Sequence, residues 1–422
     1  MTLPSSSPVW HPFTQHGLER SRPEVASASG AWLTLSDEQR LFDAISSWWV
    51  VTHGHCHPKI TTAIEAQARN LDQVIFAGFT HGPAERVAAQ LLSLVPDGLR
   101  HVFFSDSGST SVEVALKMAL GYWRNRGVAR TRILALEHAY HGDTIGTMSA
   151  GARGVFNAAY EPLLFDVGRI PFPSAGRQQV ALDALERACR SGDVAAFICE
   201  PLVLGAGGML MYGADTLAEL RRVCSAHGVL FIADEVMTGF GRTGQLLACD
   251  HARITPDILC LAKGLTGGAL PLAATLCSPD IFAAHVSTDR AKMFFHSSSY
   301  TANPIACAAA AANLDIWIDE PVLARVAAIS QIQSTALAGI TGDSRFDNAR
   351  QVGTIAAFDI SGGRGGYLAD IALPLREACL KRGVLARPLG ATLYVMPPYC
   401  ASKADLDFAY AAIVDAIDEV AA

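Results

Sequence analysis

The chain has 422 residues, with 33 Lys and Arg against 40 Asp and Glu for a formal net charge of −7, and half of the residues are hydrophobic. A length above the roughly 250–300-residue limit of a single core predicts one large domain plus a smaller one. The modest, acidic charge leaves no electrostatic footprint for nucleic acid or an anionic membrane surface. The cysteines are scattered without a C-x-x-C pair and mostly inside apolar runs, which predicts buried, reduced thiols. The N-terminal MTLPSSSPVWHPFTQH has no basic or apolar leader segment, and no run of about 18 apolar residues occurs, so a cytoplasmic protein without a membrane anchor is expected.

Residues 1–50 carry a strand hairpin over Ala31–Ala44 and are expected to join the small domain or cross to a partner. A large domain is expected over 51–324. Its apolar runs at 101–105, 132–137, 195–204, 229–235 and 256–264 are short, rich in Val, Ile, Leu and Phe, and do not alternate in polarity. That texture suits strands buried on both faces of a mainly parallel sheet. Helices fit between them at Ser111–Arg124 and Thr216–His227, the second ended by Gly228. The expected class is therefore α/β with helices on both sides of the sheet; a TIM barrel would need eight βα units, which cannot be counted. After an Ala-rich helix near Pro304–Ile318, residues 325–422 read as a small α+β domain. Its strands are expected at 351–360 and 392–399 and its helices at 367–382 and 403–420.

In open α/β sheets the site lies beyond the carboxyl ends of the strands. Asp234 ends one such run and Lys263 ends the next, ahead of a Thr266-Gly-Gly268 turn. Each alone could be a helix cap or a solvated lysine. As a pair they have a chemical meaning. A lysine in apolar surroundings is a nucleophilic amine able to form a Schiff base, and a carboxylate one strand away can keep a pyridine nitrogen protonated, which makes pyridoxal phosphate (PLP) an electron sink. The cofactor's phosphate would find backbone amides and hydroxyls where Ser105-Asp-Ser-Gly-Ser-Thr110 opens a helix, with Gly108 and Ser109 as candidates. Tyr140, just after the 132–137 run, could stack on a planar ring, line a substrate pocket or be core.

SDSGSTSVEVALKMA, HAYHGDTIGTMSA, FIADEVMTGFGRTG, LAKGLTGG and SYTANPIACAAA occur in that order. They resemble the class III aminotransferases of PLP fold type I, over nearly the whole chain. The resemblance implies a PLP-binding large domain, Lys263 and Asp234 as catalytic residues, and a homodimer with shared active sites. Within the class, WHPFTQ, Asp43-AISSWWV with HGHCHP, and Ala386-RPLGATLYVMPPY are similar to the branch that aminates 8-amino-7-oxononanoate in biotin synthesis with S-adenosylmethionine as donor. That similarity implies Trp48 as a wall of the substrate site, with Trp49 beside it. Adjacent tryptophans in a strand would point to opposite faces.

The same resemblance places Arg387 on the substrate carboxylate, a task suited to its bidentate fork. It also puts Ser297 on the substrate, and Ser298 and Ser299 on the phosphate, from the neighbouring subunit. Phe13 stands where the branch often has a tyrosine that recognises substrate, which leaves open another amino donor, lysine or an ω-amino acid. Arg242 and Asp143 could face substrate, or serve as a salt bridge and a cap. Alternation would set His53, His55 and His57 on one side, as for zinc. There is no second ligand pair and no H-E-x-x-H helix, so no metal is expected. A non-catalytic PLP-binding regulator would carry a DNA-binding module, and the first 50 residues contain neither a helix-turn-helix pattern nor a basic cluster.

Overall fold

The computed structural model describes residues 8–19, 22–363 and 366–421. Three short strands open the fold: β1 (Val25–Ser29), β2 (Trp32–Leu35) and β3 (Arg40–Asp43). The larger sheet is built from β4 (His101–Ser105), β5 (Arg132–Leu136), β6 (Gly168–Ile170) and β7 (Val194–Cys199). After a two-strand ribbon of β8 (Val203–Leu204) and β9 (Leu210–Met211), it is completed by β10 (Leu230–Asp234), β11 (Ile258–Leu261) and β12 (Ala273–Cys277).

The order across this sheet is β4-β12-β11-β10-β7-β5-β6, which is open and not a closed barrel. The strands from β11 to β6 run parallel, and β12 alone is antiparallel to both of its neighbours. The apolar runs follow from burial on two faces. Phe231, Ala233, Leu259 and Leu261 enter one core, and their neighbours Leu230, Ile232, Ile258 and Cys260 enter another across the sheet, as the period of two requires.

The helix after β4 runs Gly108–Asn125, three residues earlier than its apolar period suggests, because Ser107 and Thr110 form a reciprocal capping box. The helix Ala214–Ala226 ends where Gly228 takes φ +61°.

The C-terminal region holds β13 (Phe346–Val352), β14 (Ile355–Ile360), β15 (Val384–Leu385) and β16 (Thr392–Val395). The single strand expected over 351–360 is a hairpin. Gly353 turns it at φ +57°, where an added Cβ would lie 2.2 Å from the Thr243 carbonyl carbon. The helix expected from 367 begins at Ala372, after a short 3-10 turn at Gly366–Leu368. β15 pairs in parallel with β3. Phe42 of the N-terminal segment shares a core with Val326, Phe358, Val395 and Ile413, so the two ends of the chain pack together.

Eight cysteines are buried, whereas Cys56 and Cys400 are exposed, since both lie on turns outside the apolar runs. Among the described residues no helix is long and apolar enough to cross a membrane.

Candidate active site

Asp234 closes β10 and pairs in register with Cys260 of β11, so Lys263 follows three residues beyond that cross-strand partner. The parallel strands thereby deliver carboxylate and amine to one edge of the sheet. The Lys263 Nζ lies 5.3 Å from the centre of the Trp49 ring. Burial pushes the Lys263 ammonium below its ordinary pKa, against the opposing pull of Asp234 and Glu200, which favours a neutral amine.

Asp234 is itself held. Its Oδ2 is 2.7 Å from His141 Nδ1, both side chains buried, and its Oδ1 accepts the Val236 N–H at 3.1 Å. The loop after β5 that carries His141 also carries Tyr140, whose backbone N–H donates to Glu200 Oε1 at 2.9 Å. Glu200 Oε2 accepts the Gly205 N–H at 2.9 Å, and burial raises this carboxyl to about 7. Burial, Asp143 and Glu200 hold the Tyr140 phenol well above its ordinary pKa, so it remains a neutral donor.

Gly108 and Ser109 open the helix after β4. The Ser107 hydroxyl takes the Thr110 N–H, so the amides and dipole at Gly108 and Ser109 are placed to receive an anion. Both positions are tight. A Cβ on Gly108 would meet Val236 Cγ1 at 2.5 Å, and one on Gly142 would meet Ser109 Oγ at 2.1 Å. The Ser109 hydroxyl accepts the Asp143 N–H at 3.2 Å, tying the helix start to the His141 loop.

At the mouth, Ser46–Trp49 is a kinked helical turn with Ser47 at φ +60° and Trp49 at φ +65°, not a strand. The turn still separates the tryptophans. Trp49 is buried and donates from Nε1 to the Tyr394 hydroxyl at 2.9 Å, whereas Trp48 is 40 % exposed. The Arg387 guanidinium carbon lies 4.9 Å from the Trp48 ring centre, and its Nη2 donates to the Phe13 carbonyl at 3.0 Å. The Phe13 ring is 5.6 Å from that of Trp48. Phe13 and Arg387 line a cavity of about 890 Å³, with Phe156, Tyr367 and Arg376.

The class III aminotransferase family model matches residues 18–417. The chain belongs to the class III aminotransferases. It is 48 % identical to the adenosylmethionine-8-amino-7-oxononanoate aminotransferase of Synechococcus elongatus, over 99 % of this chain and all of the relative. The Mycobacterium leprae protein of that name is 40 % identical, over 98 % of this chain and 94 % of its own. Among solved structures, the adenosylmethionine-8-amino-7-oxononanoate aminotransferase of Methanocaldococcus jannaschii superposes with a TM-score of 0.93 at 30 % identity, covering 97 % of both chains. An amine transaminase from an uncultivated Pseudomonas species, solved in its PLP-bound form, also gives 0.93, at 31 % identity over 98 % of this chain and 99 % of that one.

This aminotransferase has the donor set for PLP: a neutral-leaning amine at Lys263, a buried carboxylate at Asp234, and a helix start at Gly108 and Ser109 too crowded for larger side chains. Among the described residues, Ser297, Ser298 and Ser299 make no hydrogen bond to this group. Ser297 donates to the Ser298 carbonyl, Ser298 binds Tyr300 and Thr301, and the Ser299 carbonyl accepts from Gln73.

Arg242 forms no ion pair among the described residues. It is buried and donates to the carbonyls of Pro397 and Val51, at 3.1 and 2.8 Å, with Tyr399 against its guanidinium. The Asp143 backbone meets Ser109, as above, and its side chain acts on Tyr140. His53 and His57 lie edge to face with ring centres 6.1 Å apart, while His55 turns away from them. His55 binds Asp43 at 2.8 Å, and His53 packs against Trp317 and Tyr399. His141, Glu200 and Tyr394 were not singled out in the sequence. His141, one residue past Tyr140, and Glu200, directly after β7, sit where strand-end polar residues belong.

Proposed function

We propose that the protein transfers an amino group from S-adenosylmethionine to 8-amino-7-oxononanoate, giving 7,8-diaminononanoate in biotin synthesis, with PLP as cofactor. The observation that carries the chemistry is the neutral-leaning Lys263 amine beside the His141-braced Asp234. The substrates rest on the two full-length relatives named for this reaction. When bound, the cofactor supplies the electron sink for a carbanion at the donor carbon.

Lys263 holds and moves the proton, as base toward the donor carbon and as acid in the return direction. Asp234 carries the negative charge that keeps a ring nitrogen protonated, and His141 fixes its orientation. Gly108 and Ser109 bind the phosphate, and Tyr140 lines the ring. Arg387 takes the substrate carboxylate, while Trp48, Trp49 and Phe13 supply an aromatic wall for a long apolar acid and an adenosine-bearing donor. The enzyme works in the cytoplasm as a homodimer in this reading, with Ser297 meeting substrate and Ser298 and Ser299 meeting phosphate in the neighbouring subunit's site. The domains run 1–50 with 325–422 as the small unit and 51–324 as the large one.

Mixing the holoenzyme with single donors and following the cofactor absorbance tests the reading. Bleaching by S-adenosylmethionine and not by lysine, alanine or ω-amines is expected. The reverse pattern would instead support the ω-aminotransferase reading, which Phe13 favours by lacking the tyrosine hydroxyl.

A further inference from the structure

The N-terminal segment reaches the cavity as a strap, and an ion pair between a buried carboxylate and a half-buried guanidinium fastens it. Glu19 is 6 % exposed. Its Oε1 accepts the Gln15 N–H at 3.0 Å, and its Oε2 lies 2.5 Å from Arg376 Nη1 on the helix Ala372–Lys381. The Leu18 and Glu19 N–H groups both donate to the Gln15 carbonyl at 2.9 Å, so the turn just after Phe13 is closed around this carboxylate. Arg376 Nε has no hydrogen-bond partner among the described residues, and Glu19 is the ion-pair partner that the structure gives this guanidinium.

Phe13 needs such a hold. It sits at φ +47°, a conformation an L residue adopts only when its surroundings impose it. Two anchors bracket it: Arg387 on its carbonyl at 3.0 Å, and the Glu19–Arg376 pair six residues on. Glu19, Arg376, Phe13 and Arg387 all line the same 890 Å³ cavity. Removing Arg376 leaves the buried Glu19 carboxylate without its ion-pair partner, and the short turn between Gln15 and Glu19 would relay that disturbance to Phe13.

We infer that Glu19 and Arg376 are positioning residues: their ion pair sets the Phe13 strap over the cavity that Phe13 and Arg387 line, and thereby tunes substrate binding by this enzyme. The inference rests on the proposed function for the choice of substrate and for Phe13 and Arg387 as its contacts. Its test uses whichever amine bleaches the wild-type cofactor, so an unreactive S-adenosylmethionine would count against that reading and not against the strap.

Glu19→Gln and Arg376→Met are each expected to raise KM about tenfold, with kcat changed less than about twofold, the size of coupling usual for groups in one network. The charge-exchanged pair Glu19→Arg with Arg376→Glu is expected to recover most of the loss. In a Phe13→Ala background Glu19→Gln should add little, because the pair acts through Phe13. If Glu19→Gln does not fold, Glu19→Asp, which keeps the charge and shortens its reach, should raise the same KM. A lowered melting temperature with unchanged KM, or effects of Glu19→Gln and Phe13→Ala that simply add, would overturn the inference.

Discussion

His141 Nδ1 and Asp234 Oδ2 stand 2.7 Å apart with both side chains buried, while His141 Nε2 has no hydrogen-bond partner among the described residues. The imidazole therefore spends its directed bond on Asp234. Removing it strips a buried carboxylate of a hydrogen bond to a charged group, a loss of about 1.5–3 kcal/mol, or roughly 10–150-fold in kcat/KM. His141→Ala should fall in that range, and His141→Asn, which can return a donor, should recover part of it. Steady-state kinetics on PLP-saturated enzyme measure both, and an unimpaired His141→Ala would remove the histidine from the mechanism.

The proton-transfer role of Lys263 has a definite pH sign. Burial lowers its pKa below the ordinary 10.5, while Asp234 and Glu200 pull it upward. The amine is the active base, so the rate of the donor half-reaction should rise with pH through a midpoint below 10.5 and level off above that midpoint. Glu200→Gln removes one upward pull and should move that midpoint lower. A midpoint at or above 10.5 in the wild type, by stopped-flow spectroscopy, would contradict the desolvated lysine.

Much of this was legible in the sequence because strands buried on both faces leave unbroken apolar runs, and parallel strands put their carboxyl-end residues at one edge. Asp234, Lys263 and the helix start at Gly108 stand at such strand ends, which is why the sequence alone points to them as candidates. What escaped depends on long-range contact. The kinked turn at Ser46–Trp49 does not follow strand alternation, and its positive φ values at Ser47 and Trp49 are invisible to hydrophobic periodicity. Arg242 looks like a partner for a carboxylate, yet it meets backbone carbonyls contributed by residues 51 and 397. The break at Gly353 comes from the close approach of Thr243, more than a hundred residues away in the chain.

His53 predicts an acid-labile element. Both of its ring nitrogens lack partners among the described residues, and burial depresses its pKa from 6.5 to about 3. Between those values the unfolded chain binds the proton and the folded chain does not, so stability rises with pH across that window and is lost on acidification. At pH 5 the difference amounts to about 2 kcal/mol. His53→Phe keeps a ring between Trp317 and Tyr399 and removes the titration. The variant should gain about that much stability relative to wild type on going from pH 7.5 to pH 5, by denaturant unfolding at both pH values. A constant difference between the two proteins would show that His53 is not buried in its neutral form.

Arg387 is engaged on two sides, donating to the Phe13 carbonyl from Nη2 at 3.0 Å and lying over the Trp48 ring. A guanidinium can keep both contacts and still present N–H groups to a carboxylate, because its donors are spread around a rigid plane. An ammonium is a point charge and cannot serve all three. Arg387→Lys should therefore raise KM for a carboxylate-bearing substrate about 10–100-fold, the value of one or two hydrogen bonds to a charged group. An amine donor without a carboxylate provides the control, and its KM should change less than about threefold. Equal losses for the two donors would mean that the substitution disturbs the Phe13–Trp48 wall and that Arg387 does not itself hold the carboxylate.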